Sequence, residues 1–128
     1  MKLGDALDRT VRCHPDKTAL ITDTGRSFTY TELDERATRL ANALADRVGS
    51  KRCAVLTVNH VSAIESMFAG NKRGRATVQL SYRATVGELV EMAKTAEAEA
   101  LVFDDHNADE ALKLLEKGAF DTAIHAGD

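Results

Sequence analysis

The sequence has no tryptophan, one proline and two cysteines in 128 residues, and its aromatic content is 5%. Each shortage closes off a class of function. Cys13 and Cys53 lie far apart with no Cys-x-x-Cys pairing, which excludes a zinc knuckle and a disulfide-stapled scaffold and leaves ordinary reduced thiols. Few aromatics, a net charge of −3 and a pI near 5.8 remove the basic, stacking surface that general nucleic-acid binding needs. No apolar run approaches the roughly 20 residues of a membrane span, and the N-terminus lacks the charged-then-apolar layout of a secretory signal. A cytoplasmic protein is therefore expected. No Gly-x-Gly-x-x-Gly follows any β-prone run, and no Gly-x-x-x-x-Gly-Lys-Ser/Thr occurs anywhere. The phosphate loops are missing as well.

What is present is ordinary for one globular unit. Hydrophobic content is 44% and charged content 29%, and a chain of this length buries roughly two-thirds of its unfolded surface. Residues 1–128 are read as a single domain, with a helix, hairpin and helix over 1–50 and a βαβαβαβ unit over 51–128. The charge is uneven. Residues 1–64 hold 10 basic and 8 acidic side chains, and residues 65–128 hold 7 and 12. Within the acidic half, Lys72, Arg73, Arg75 and Arg83 form a local basic group. It is read as a solvated loop and helix end, with a lipid-headgroup or phosphate contact as the alternative.

Leu3 to Cys13 has Leu3, Leu7 and Val11 at helical spacing, and His14-Pro15 ends it because a residue before proline is pushed out of the helical region. Ala19–Asp23 and Ser27–Tyr30 are β-prone runs around the turn residues Thr24-Gly25-Arg26, so they form a hairpin. Thr31, with Asp34 three residues on, is placed to cap a helix carrying Leu33, Ala37, Leu40, Ala41 and Leu44. Gly49 is expected as its left-handed cap.

A repeating order follows. Cys53–Val58 is an apolar strand, and His60–Lys72 a helix with Val61, Ile64, Met67 and Phe68 on its apolar face, stopped by Arg73-Gly74. Ala76–Leu80 is the next strand. Thr85 to Glu88 reads as a capping box opening a helix that carries Leu89, Met92, Ala93 and Ala96. Ala100–Phe103 is a strand, Ala108–Lys117 a helix with Ala111, Leu112 and Leu115 inward, and Thr122–His125 a last strand after Gly118. Apolar strands alternating with helices mean parallel pairing with helices over the sheet. The fold expected is a doubly wound α/β domain, its mostly parallel sheet flanked by helices and preceded by a β-hairpin.

In such sheets ligands sit at the C-terminal strand ends. Asn59-His60 follows the first strand there, with His60 opening a helix rather than serving as an acid or base. Ser81-Tyr82-Arg83 follows the second as a polar turn. Asp104-Asp105-His106 follows the third, where paired acids could hold magnesium, as in phosphate-receiving signalling domains. Their order along the chain differs from that of a receiver, and no lysine follows the last strand. Asp104, Asp105, Asn107 and Asp109 are read instead as a turn and the first turn of a helix. His14, His60, His106 and His125 are scattered without helical pairing. No catalytic, cofactor-binding or metal-binding residue is assigned.

The words Ser27-Phe-Thr-Tyr-Thr-Glu-Leu33 and Arg39-Leu-Ala-Asn-Ala-Leu44 resemble the N-terminal part of the adenylate-forming acyl-CoA synthetases, the superfamily of AMP-binding enzymes. The resemblance continues through Ala54-Val55-Leu56, Ile64-Glu65, Met67-Phe68-Ala69, Arg73-Gly74, Tyr82-Arg83, Glu88-Leu89 and Ala100-Leu101-Val102, nearly the whole chain. Fatty acyl-CoA and medium-chain ligases look nearest. Such enzymes join a carboxylic acid to coenzyme A through an acyl-adenylate, using ATP and magnesium. The resemblance also implies that the family's phosphate loop, adenine and ribose motifs and catalytic lysine have no counterpart here. It implies a truncated N-terminal scaffold subdomain, inactive alone, with ATP, magnesium and coenzyme A belonging to full-length relatives. Apolar surface left uncovered would then favour self-association, as a dimer. The alternative is a free-standing interaction or oligomerisation module using the basic group.

Overall fold

A computed structural model of the chain describes residues 3–48, 52–58 and 60–126. Gly49 and Asn59, and the side chain of Leu3, lie outside the described residues. Helix α1 (Leu3–Cys13) leads into the hairpin strands β1 (Thr18–Ile21) and β2 (Ser27–Thr29), then α2 (Tyr30–Val48). The remaining elements alternate: β3 (Arg52–Leu56), α3 (Val61–Arg73), β4 (Thr77–Gln79), α4 (Val86–Ala96), β5 (Ala98–Phe103), α5 (Ala108–Glu116) and β6 (Thr122–His125). A short 3-10 turn, Asp105–Asn107, precedes α5.

Strands β1 and β2 pair antiparallel, with Leu20 opposite Phe28. The other four form a parallel sheet in the order β4-β3-β5-β6. Side chains alternate across a strand, so Cys53 and Val55 join Ala100 and Val102 on one face, against Ala41 and Leu44 of α2 and Ala69 of α3. Ala54 and Leu56 join Leu101 on the other face, against Leu89 and Ala93 of α4 and Ala111 and Leu114 of α5. Helices cover both faces, as the apolar strands require. No helix among the described residues is long and apolar enough to cross a membrane.

Several positions differ from the sequence reading. The cap of α2 is Thr29, whose hydroxyl accepts from the Glu32 amide at 3.1 Å and lies 3.3 Å from the Glu32 carboxylate. Thr31 instead donates its hydroxyl to the Pro15 carbonyl at 2.9 Å, tying the start of α2 to the end of α1. Asp34, freed from any capping role, faces Lys72 on α3. On α5 Ala111 and Leu114 are buried and Leu115 packs half-buried against the same core, while Leu112 is 58% exposed. In the run Ala-Leu-Lys-Leu-Leu, Ala111 and Leu115 are compatible with either Leu112 or Leu114 beside them, and packing on the sheet selects Leu114.

Helix α3 shows the largest difference. It buries Val61, Ser62, Glu65, Ser66, Ala69 and Gly70, while Ile64 and Phe68 are half-buried and Met67 is 36% exposed. The reason is α2. Arg36 lies over the Phe28 ring, 5.0 Å from its centroid, and forms an ion pair with the buried Glu65 carboxylate. A charge taken out of water needs such a partner. Small residues on the same side of α3 let the two helices approach, and this sets the helix's rotation.

Candidate functional site

In the strand order β4-β3-β5-β6, the chain leaves β3 toward β4 and leaves β5 toward β6. The crevice between the C-terminal ends of β3 and β5 is therefore the topological switch point, where doubly wound folds place ligands. Asp104 occupies it. The residue is 3% exposed. One oxygen accepts from the Val58 amide at 2.8 Å, across the crevice. The other accepts from the Asn107 amide at 3.1 Å and from the Asn107 side-chain amide at 2.6 Å. Asp104 thus caps the 3-10 turn before α5 and laces β5 to the loop leaving β3.

The second acid goes elsewhere. Asp105 is exposed, and its carboxylate contacts the His125 Nε2 at the end of β6. His125 also lies against Phe103, with ring centroids 5.3 Å apart. Tyr82 and His106 meet edge-on at 6.4 Å, and the Arg83 guanidinium lies 5.5 Å from the Tyr82 ring centroid. The sequence pair Asp104-Asp105 is therefore split by the fold. Asp104 is consumed by internal donors, and Asp105 is turned outward to a histidine. No three His, Cys, Asp or Glu side chains converge on a metal-sized site among the described residues. The donor set does not fit the ATP–magnesium that the resemblance implies for full-length relatives, because a carboxylate serving three N–H donors is poorly placed to ligate a cation.

His60 is the N-cap of α3. Its Nδ1 accepts from the Ser62 amide at 3.2 Å and lies 2.8 Å from the Ser62 hydroxyl. An imidazole held in this way is a helix cap.

The residues of the basic group differ in burial and pairing. The Lys72 ammonium lies 2.6 Å from Asp34 and 3.5 Å from Asp8, joining α1, α2 and α3. Arg73 is half-buried, and Arg75 and Arg83 are exposed. Burial alone would lower the Lys72 pKa. The hydrogen bond and charge of Asp34, with Asp8, outweigh it and raise the group above its usual 10.5. A raised folded-state pKa contributes stability that is complete below the ordinary lysine value and is lost as pH rises through the folded value. Thermal unfolding followed upward from pH 10 should therefore show a decline that Asp34→Asn makes smaller. An identical decline in the variant would exclude the pair as its source.

The two thiols differ in kind. Cys13 is exposed, and Cys53 is buried on β3. Burial pushes the Cys53 thiol up to about 11, against the smaller opposing influences of the Arg73 charge and a backbone hydrogen bond from Val102. A thiolate is the reactive species, so maleimide should label one thiol per native chain quickly and the second only on unfolding. Two fast thiols would contradict the placement of β3.

One concave feature was not foreseen from the sequence. A groove of about 310 Å³ lies between the hairpin and the start of α3, lined by Leu20, Ile21, Asp23, Val61 and Ile64 among others. Its elements are far apart in the sequence, and no local pattern announces their meeting.

With the geometry in place, the comparisons with known proteins are consistent. The AMP-binding enzyme family matches residues 7–127. The 3-oxocholest-4-en-26-oate–CoA ligase of Rhodococcus rhodochrous is 26% identical over 117 residues, covering 90% of this chain and 21% of its own length. The feruloyl-CoA synthase of an Amycolatopsis species is 33% identical over 114 residues, covering 88% of this chain and 23% of its own. Among solved structures, a benzoate CoA ligase from Burkholderia xenovorans superposes with a TM-score of 0.85 at 25% identity, covering all of this chain and 26% of that one. The chain thus spans about a fifth to a quarter of the relatives it matches. It belongs to the AMP-binding enzyme family and is homologous to the N-terminal subdomain of that family's acyl- and aryl-CoA ligases.

Proposed function

We propose that these residues are a single scaffold unit of a carboxylate–CoA ligase, and that the groups contacting ATP, magnesium and coenzyme A lie outside them. The observation that carries this reading is Asp104. The fold places its conventional ligand crevice at the ends of β3 and β5 and then fills it with a carboxylate serving three protein donors. Binding there would break a satisfied buried network, at a cost of about 1–3 kcal/mol for each group left unpaired. The acid activated by the whole enzyme is apolar in this reading, a fatty acid first. The relatives named above act, by their names, on a steroid carboxylate, a feruloyl group and benzoate. The setting is the cytoplasm, and self-association of the isolated chain belongs to the same reading, since Ile21 is 67% and Leu112 58% exposed.

The test is ATP–pyrophosphate exchange with the purified 128-residue chain, magnesium and a panel of fatty and aromatic acids. No exchange above a heat-denatured control is expected, and titration calorimetry with ATP–magnesium should show no binding heat. Exchange or tight nucleotide binding by the chain alone would overturn the assignment.

A further inference from the structure

The parallel sheet ends on β4 at one side and on β6 at the other, with no further strand beside either among the described residues. Such an edge is a template for another strand. The two edges carry opposite charge. Arg75 precedes β4 and Arg83 follows it, both exposed. Asp121 precedes β6, and Asp105 lies at its far end against His125, both acids exposed. The registers set these groups level with one another. Cys53 pairs with Thr77 on one side and with Ala100 on the other, and Ala100 pairs with Thr122. Thr77 and Thr122 therefore stand at the same height in the sheet. Arg75 and Asp121 lie just before them, and Arg83 and Asp105 lie beyond the C-terminal ends.

We infer that a second copy of this chain adds its β6 to β4 of the first, in parallel and without stagger, so that the sheet runs on from copy to copy. The inference rests on the self-association in the scaffold reading and gives it a surface. Charge decides the pairing. Joining two β6 edges about a twofold axis sets Asp121 against Asp105, and joining two β4 edges sets Arg75 against Arg83. Joining unlike edges instead puts Arg75 beside Asp121 of the second copy and Arg83 beside its Asp105. Opposite charges across paired strands stabilise them, and like charges oppose the pairing.

The shape agrees. On the side of α4, β4 borders a groove of about 400 Å³ lined by Val78, Leu80, Glu91, Met92 and Thr95 among others. Side chains alternate across a strand, and those of β6 that share the face of Leu101 and Phe103 are Ala123 and His125. An added β6 carries these two over the groove and covers Met92, which is 38% exposed in the single chain. A contact between unlike edges is heterologous, and it forms a ring only if its rotation closes. Four strands per copy, about 4.8 Å apart, advance the sheet by about 19 Å. A twist of about −20 to −25° per strand turns each copy by roughly 80–100° on the last. Advance with rotation is a screw, so the assembly is an open chain of copies.

The test is sedimentation equilibrium of the 128-residue chain from low to high micromolar concentration. In low salt the average mass should climb past twice 13.9 kDa without a plateau. About 1 M salt should lower it, because the Debye length falls to about 3 Å. Arg75→Glu and Asp121→Lys should each weaken association by about three- to tenfold. An equimolar mixture of the two variants should restore it, since alternating copies then meet through opposite charges at every junction. A plateau at twice the chain mass, or a mixture no better than either variant alone, would overturn the continuous sheet. Either result with association intact rejects this inference and leaves the self-association standing, whereas a monomer at every concentration removes both. Pyrophosphate exchange tests the ligase assignment separately. Should a variant not fold, hydrogen exchange of the unaltered chain decides. Raising its concentration should slow exchange in Thr77–Gln79 and Thr122–His125 together, and protection of one strand alone would overturn the pairing of unlike edges.

Discussion

Replacing Asp104 with alanine is expected to cost the fold about 3 kcal/mol, from three hydrogen bonds to a charged acceptor offset in part by removing a buried carboxylate. The Val58 amide, the Asn107 amide and the Asn107 side chain all donate to this one group. Alanine leaves those donors facing a void too confined for free hydration, and it disconnects the loop after β3 from the turn before α5. Asp104→Asn is the sharper control. It preserves volume but supplies one acceptor oxygen where two were used, so it should still cost at least half as much. Urea unfolding of both variants is the measurement. A loss under about 1 kcal/mol for Asp104→Ala would mean that the crevice can open cheaply. The crevice would then be open to ligands, contrary to the scaffold reading.

The sheet was legible because strands buried on both faces read as apolar runs, and because capping signals such as Thr85 to Glu88 are local. That box forms as read, the Thr85 hydroxyl accepting from the Glu88 amide at 3.2 Å. Asp104 was legible as a turn residue, but not as the group that fills the crevice, since Val58 lies 46 positions away. Helix α3 shows where the limit falls. Its period was visible, whereas its rotation depends on Arg36, a residue of another helix whose need for Glu65 no window on α3 contains. The same holds for Asp34, which at short range looks like the second member of a capping box opened by Thr31 and becomes the partner of Lys72 only when α2 and α3 meet. Periodicity fixes spacing, and pairing across the fold fixes phase. Of the apolar stripe of α3, Val61 is buried, Ile64 and Phe68 are half-buried and Met67 is exposed, so its period is right and its phase is shifted.

The close approach behind α3 sets the second large effect, Gly70→Ala. In an exposed helix interior this substitution would gain up to about 1 kcal/mol from helix propensity. Here it should lose about 2 kcal/mol net, because overpacking typically costs 1–3 kcal/mol and the crowding here involves backbone. A methyl on Gly70 would lie 2.7 Å from the Thr77 methyl and 2.8 Å from the Arg75 carbonyl oxygen. The approach is built into the way the helix ends. Gly74, at φ +70, donates to the Asn71 carbonyl, and Arg75 donates to the Gly70 carbonyl at 2.9 Å. This paired termination reverses the chain and lays the start of β4 back across the last turn. A Cβ at position 70 would push against the connection that delivers β4 to the sheet, so the loss should appear as a lower urea midpoint with an unchanged m-value. Adding Thr77→Ser removes one of the two clashing groups and should recover part of the loss. The Arg75 carbonyl contact remains, so full recovery would place the strain in the side chain alone. A stabilised Gly70→Ala variant would contradict the approach of α3 to β4 altogether.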